Sequence, residues 1–228
     1  MSRMGDCLTY IYMMKSWLKK HIKESSLYAF WQAQAVKRQR AREIAEWARQ
    51  GRPVPPPHEI KQKAIRYYAK KFRLKVFVET GTYYGAMVEA VKNDFDTLYS
   101  IELSRDLYEK ACERFKGQKA ITLIQGDSGV EIGAVMKRLK QPALFWLDGH
   151  YSEGVTARGD RDTPILAELT HILNAKEPGH VILIDDARCF GRDADYPSIQ
   201  ELTDFVRKIN PAISIHVEDD SIRLLPKR

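Results

Sequence analysis

Cysteine is scarce in this chain. Its three residues, Cys7, Cys112 and Cys189, lie far apart and form no Cys-x-x-Cys spacing. An odd number so distributed excludes a disulfide framework and a thiolate metal cluster, and leaves reduced thiols. Long apolar runs are missing as well: no stretch approaches the roughly 20 residues of a membrane span. The N-terminus has no uninterrupted apolar core with a small-residue cleavage site, so a cytoplasmic location is expected. Proline is thin except in one place, where Pro53, Pro55, Pro56 and Pro57 fall together. Proline at that density cannot continue a helix and reads as an extended spacer. Acidic residues are rare up to and just past that spacer. Residues 1–75 hold 18 Lys and Arg against 5 Asp and Glu, whereas residues 76–228 hold 19 against 25. The net charge of +7 therefore belongs to the N-terminal part. The mildly acidic remainder argues against nucleic acid as a partner.

What is present divides the chain in three: a basic helical extension over 1–52, a proline-rich linker over 53–58, and a domain over 59–228. With 228 residues and 44% hydrophobic content, the chain can bury one substantial core. Residues 8–23 form an amphipathic helix with Ile11, Met14, Leu18 and Ile22 on one face and Lys15, Lys19, Lys20 and Lys23 on the other. Such a helix either docks on an anionic membrane surface, making the protein peripheral there, or packs on the body or on a second subunit in a homo-oligomer. A second helix is expected over 27–49, where the Lys37 to Arg42 run reads as a solvated face. A third, over 59–72, carries Ile60, Ala64, Tyr67 and Tyr68 at helical spacing.

From residue 76 the pattern alternates. Apolar, β-branched strands are expected over 76–79, 97–102, 120–124, 143–147 and 181–184, separated by helices over 86–93, 105–115, 130–139, 164–173 and 197–209. Ser104 reads as an N-cap, Gly117 lies just past the end of the second of these helices, and Pro164 suits a first helical position. Strand and helix alternation of this length implies a doubly wound parallel sheet covered on both faces. The ending breaks the rule: 213–217 and 222–225, joined by a tight polar turn, predict an antiparallel hairpin.

The polar residues that follow the strands carry the chemistry. After Val76, Phe77 and Val78 come Glu79, Thr80, Gly81, Thr82, Tyr83, Tyr84 and Gly85. Gly81 allows a tight turn beside a ligand, and Gly85 allows the next helix to pack close. Glu79 is costly to bury without partners. Glu102 ends the second strand, where the residue pattern alone allows a solvated strand-end carboxylate. Asp127 and Ser128 follow the third strand, and Asp127 suits the cap of the next helix.

Five parallel strands, a closing hairpin and these three motifs in order resemble the class I S-adenosylmethionine-dependent methyltransferases, over about residues 59–228. The resemblance implies a seven-stranded Rossmann-like fold and S-adenosyl-L-methionine as cofactor. It places Glu79, Thr80, Gly81, Thr82, Tyr83 and Gly85 in the cofactor loop, Glu102 at the ribose, and Asp127 and Ser128 at the adenine. The fourth strand ends in Asp148, Gly149 and His150, and the fifth in Asp185 and Asp186. This pairing resembles the metal-dependent sugar O-methyltransferases of macrolide biosynthesis. That likeness implies magnesium on Asp148, Asp185 and Asp186, and a sugar or other small hydroxylated acceptor. Carboxylates so close repel unless a cation joins them, and oxygen-only ligation favours a hard divalent ion. His150 or Asp148 would take the proton of the attacking hydroxyl. In the polar loop over 151–162, Arg158 and Arg161 could clamp an anionic acceptor group. Glu168 could face the site, and Arg188 could neutralise the acidic pair. The alternative is a silent or differently reacting, hydroxylase-like member of the same fold that docks on a membrane or polyanion through its basic N-terminal helices.

Overall fold

The computed structural model describes residues 26–149, 163–175, 179–192 and 196–227. The chain divides between Gly51 and Arg52 into two compact units. Of the first unit, helix α1 (Ser26–Arg49) is described; the amphipathic segment 8–23 lies outside the described residues. Helix α1 is rich in Ala, Gln and Arg, good helix formers, and Gln39 donates to Glu43 across one turn at 2.9 Å. The Lys37 to Arg42 run is exposed along it, as expected.

The second unit begins with helix α2 (His58–Phe72), which buries Ile65, Tyr68 and Ala69 at helical spacing. Arg73, in the left-handed region at φ 56°, closes it, and the Leu74 N–H returns to Ala69 O at 2.8 Å. Then come β1 (Val76–Thr80), α3 (Ala86–Val91), β2 (Thr97–Glu102), α4 (Arg105–Arg114), β3 (Ile121–Gln125) and α5 (Ser128–Arg138). The chain continues through β4 (Ala143–Leu147), α6 (Ile165–Leu173), β5 (Val181–Ile184), a 3₁₀ turn (Ala187–Cys189), α7 (Ile199–Ile209), β6 (Ser214–Glu218) and β7 (Ser221–Leu225). The seven strands form one sheet in the order β3-β2-β1-β4-β5-β7-β6. β1 to β5 are parallel, and β7 runs antiparallel to both β5 and β6. The strand order reverses between β1 and β4, which sets a crevice at their carboxyl ends.

Side chains alternate across the sheet, so each face has its own core. Val78, Ile101, Phe145, Leu147 and Ile184 pack beneath Ile132 of α5, Leu169 of α6 and Leu202 of α7. On the other face Phe77, Leu98, Leu144, Trp146 and Leu183 pack against Ile65 of α2, Val88 of α3 and Ala111 of α4. This is the doubly wound arrangement that the alternation predicts.

Most boundaries differ from the sequence reading by a residue or two, and the differences have local causes. Helix α5 starts at Ser128 rather than 130 because Asp127 caps it, its side chain accepting from the Gly129 N–H at 2.8 Å. Pro164 stands one residue before α6 instead of inside it. Helix α7 starts at Ile199 because Ser198 and Glu201 form a reciprocal capping box. The hairpin turn is Asp219 and Asp220, both at positive φ (51° and 59°), the conformation a two-residue hairpin loop requires.

Gly85 starts α3 in the left-handed region, at φ 72°, and a Cβ there would lie 2.5 Å from the Phe115 ring just past α4. Gly85→Ala combines left-handed strain with overpacking, about 3 kcal/mol together. The urea midpoint should fall by that free energy divided by the slope, with the slope itself unchanged; an unchanged midpoint would show that the ring simply moves aside.

Candidate active site

Four backbone hydrogen bonds continue the ladder just beyond the strand ends and hold the site residues in a row. Gly126 N–H donates to Glu102 O at 3.0 Å, Gly81 N–H to Ile101 O at 2.9 Å, Asp148 N–H to Thr80 O at 3.1 Å, and Asp185 N–H to Leu147 O at 3.0 Å. The residues predicted from β1, β2, β4 and β5 thus meet along one edge of the sheet. His150, Arg158 and Arg161 lie outside the described residues.

Around β1 and β2 the parts interlock. Gly81, at φ 82°, has its α-carbon against the β4 chain: a Cβ there would stand 2.4 Å from the Asp148 carbonyl oxygen. The close approach that the sequence implied is therefore made to protein backbone. Tyr83 also takes positive φ, 49°, and its N–H donates to Glu102 Oε2 at 2.7 Å, while Ser104 N–H donates to Oε1 at 2.9 Å. Burial pushes the Glu102 carboxyl above its usual value, and these amides oppose the rise. Glu79 is only 2% exposed. Register places it beside Ser100, whose hydroxyl donates to its Oε2 at 2.5 Å. Thr82 Oγ1 lies 2.6 Å from the same hydroxyl. Burial drives the Glu79 carboxyl well above the carboxylate range despite the Ser100 bond.

Asp127 and Ser128 begin α5, and the Asp127 side chain is engaged as its cap. A Cβ on Gly149 would stand 3.1 Å from Thr80 Oγ1 and 3.2 Å from Ser128 Oγ, so both hydroxyls lie directly under the turn after β4. Glu168 of α6 is buried beside them. Neither its Oε1 nor Thr80 Oγ1 has a hydrogen bond of good geometry among the described residues. Burial raises the Glu168 carboxyl to about 7, against the pull of the Ser128 and Thr80 hydroxyls and with a further push from Asp127.

At the ends of β4 and β5 the three expected acids converge on a cation of the chain. Lys61 Nζ from α2 lies 2.5 Å from Asp185 Oδ2 and 3.6 Å from Asp186 Oδ1. Asp148 is near enough to add to the field at Lys61. Asp185 Oδ1 accepts the Asp186 N–H at 2.9 Å. Burial pulls Lys61 down, but Asp185, joined by Asp148 and Asp186, outweighs it and holds the ammonium above its ordinary value. The same burial pushes Asp185 upward while Lys61 holds it back. Arg188 Nη1 donates to Asp186 Oδ1 at 2.6 Å and also pairs with Asp220, so it neutralises the pair from the other side. Asp220 comes from the β6–β7 turn and accepts the Arg188 N–H as well, at 2.9 Å.

This arrangement does not fit magnesium on Asp148, Asp185 and Asp186. The Lys61 ammonium, 2.5 Å from Asp185 Oδ2 and 3.6 Å from Asp186 Oδ1, already puts a positive charge between these acids, where a second cation would be repelled. Among the described residues no group of three or more His, Cys, Asp or Glu is set to hold a metal ion. Sequence reasoning missed Lys61, which is 124 residues from Asp185 and has no local signal. It also missed Ser100, although period-two alternation from Glu102 puts Ser100 on a common face with it. His180 accepts the Ala143 N–H at 3.0 Å, a structural contact just before β5.

Strand order and the reversed last strand give a Rossmann-like fold that is shared with solved methyltransferases. Solved structures that share it include the S-adenosylhomocysteine-bound methyltransferase PaMTH1 of Podospora anserina, at 16% identity over 80% of this chain and 86% of that one, with TM-score 0.52. An O-methyltransferase of Bacillus cereus, in complex with S-adenosylhomocysteine, is 14% identical over 82% and 90%, with TM-score 0.53. The O-methyltransferase TomG of Streptomyces achromogenes, involved in tomaymycin synthesis and in complex with S-adenosylmethionine, is 17% identical over 82% and 89%, with TM-score 0.50. No family model matches the chain, and no curated protein sequence matches it.

Glu168 gives the site a pH signature. With a folded value of about 7 against 4.5, the folded chain holds more protons than the unfolded chain between those values. Its contribution to stability therefore falls as pH rises through that window and levels off above it, by about 3 kcal/mol in all. Glu168→Gln should remove that slope, matching the wild type near pH 4.5 and exceeding it in stability at pH 8. Urea titrations across this range check it; parallel curves for the two proteins would refute it.

Proposed function

We propose that the chain is an S-adenosylmethionine-dependent methyltransferase acting on an oxygen of a sugar or other small hydroxylated acceptor. The observation that carries this reading is Glu102. Its two oxygens are each fixed by a backbone amide, at 2.7 and 2.9 Å, at the carboxyl end of β2 beside the switch point. A carboxylate offers about four acceptor sites, so two remain for the vicinal hydroxyls of a ribose. The residues present therefore fit a nucleoside cofactor. Glu102 would hold the ribose, the backbone from Gly81 to Tyr83 would border it, and the start of α5 would border the base. The fold neighbours add support, since two of those named are O-methyltransferases holding the cofactor or its product.

When bound, the cofactor supplies a methyl group on a sulfonium: the acceptor oxygen forms the new C–O bond as the C–S bond breaks and its electrons stay on sulfur. The chain has to position the acceptor, keep water out and receive the hydroxyl proton. Asp148, half-buried next to Lys61, is the base within the described residues. Lys61 holds positive charge where the hydroxyl oxygen becomes more negative, which eases loss of its proton. The sequence-stated metal plays no part in this reading, because the acidic pair already carries Lys61 and Arg188.

Calorimetric titration with S-adenosylhomocysteine tests the cofactor. Micromolar binding is expected for the wild type. Glu102→Gln should bind roughly 10- to 100-fold more weakly, from the loss of charge-assisted bonds worth about 1.5–3 kcal/mol. A thermal melt should accompany the variant, because Glu102 also anchors the Tyr83 and Ser104 amides. Absence of binding by a folded wild type would remove the reading.

A further inference from the structure

We propose that Lys61 occupies the position of a divalent ion at the Asp148, Asp185 and Asp186 cluster, so that the acceptor side of the crevice carries a built-in ammonium and works without metal. The inference rests on reading this crevice as the acceptor side of a methyltransferase. The occupancy itself is geometric and can be tested without turnover.

Three observations converge. The Lys61 side chain is 15% exposed and Asp185 only 1%, so the ammonium and its partner meet with little water between them. A charge pair so enclosed holds much of its Coulomb attraction, and removing one member leaves the other bare in a poor solvent. Second, the cation reaches both acids of the pair at 2.5 and 3.6 Å and feels the charge of Asp148 as well. The ammonium thus lies against the two acids that follow β5, on the side from which Asp148 adds to its field. Third, the position is built from the body. Lys61 lies in the first turn of α2, whose Ile65, Tyr68 and Ala69 are locked into the core over β4 and β5. Among the described residues Asp185 lies within hydrogen-bond distance of the ammonium and Asp186 just beyond it.

Binding of Mn²⁺, followed by its electron paramagnetic resonance signal, is the test. The wild type should take up no Mn²⁺ through these acids at millimolar concentration. Lys61→Ala exposes the acids and should bind one Mn²⁺ with a Kd on the order of 0.1 mM, and adding Asp185→Asn should abolish that site. Wild-type uptake that Asp185→Asn removes would overturn the proposal, as would a folded Lys61→Ala that binds nothing. Should Lys61→Ala fail to fold, competitive acylation of the wild type decides. Lys61 should react roughly tenfold more slowly than exposed Lys63 on the same helix, whether or not Mn²⁺ is present. Acceleration by Mn²⁺, or reaction as fast as Lys63, would show that the ammonium is displaced or was never held. None of these readouts depends on S-adenosylhomocysteine, so failure here is distinct from failure of the cofactor reading.

Discussion

The site depends on the sheet's hydrogen-bond ladder running past its own strands. From β3 to β5 each strand end is joined to the next by a bond from the residue that begins the following loop, at 2.9 to 3.1 Å. A backbone group buried without such a partner is costly, so each loop leaves the sheet at a fixed point and in a fixed direction. Gly81, Asp148 and Asp185 are therefore positioned by main-chain geometry, before any side chain makes a contact. Parallel strands all deliver their carboxyl ends to one edge, which explains how acids distant in sequence come to share a small volume.

That sharing creates the electrostatic problem the rest of the site answers. Glu79, Glu102, Asp148, Asp185 and Asp186 are crowded at one end of a low-dielectric sheet. Each neutralising device is different and local. Glu79 sits against a hydroxyl on the α2 face and is pushed toward its neutral form. Glu102 takes two amides, which hold an anion without spending all of its lone pairs. Asp185 and Asp186 take full cations from opposite directions, Lys61 from α2 and Arg188 from the segment after β5. The terminal hairpin joins in through Asp220, whose backbone oxygen accepts the Ala187 N–H and whose carboxylate accepts Arg188. The antiparallel ending therefore props the acidic pair as well as completing the sheet.

The strands were legible because buried parallel strands are apolar on both faces: Val76 to Val78 and Ala143 to Leu147 can be read as little else. Glu79, Glu102 and Asp148 were legible because a charged residue directly after such a run marks a strand end, and strand ends of this fold share an edge. The start of α5 was misplaced although its signal was present, since Asp127 was weighed first as a ligand and it does cap the helix. The capping box at Ser198 and Glu201 was equally visible and went unread. Lys61 was not legible at all. Nothing near it in sequence distinguishes it from Lys63 or Lys70, and only the packing of α2 over β4 and β5 selects it. The magnesium expectation left Lys61 out for this reason: a sequence shows the anions that need a cation and not the cation that reaches them.

A fixed ammonium and a divalent ion do different work on an acceptor. A metal with several open positions can take both oxygens of a vicinal diol and replace their hydration shells. An ammonium on a four-carbon stem, already bonded to Asp185 at 2.5 Å, has single donors to offer and forms no chelate. It gains most from one oxygen that becomes more negative as its proton leaves, because that interaction grows along the reaction and so lowers the barrier. Within the proposed class of hydroxylated acceptors, such a donor would favour a reacting hydroxyl that is itself acidic or stands next to an anionic group. On the proposed reading the two halves of the crevice would divide the labour by charge: amide-bound Glu102 would take neutral hydroxyls on the cofactor side, and the Lys61 ammonium a developing oxyanion on the other.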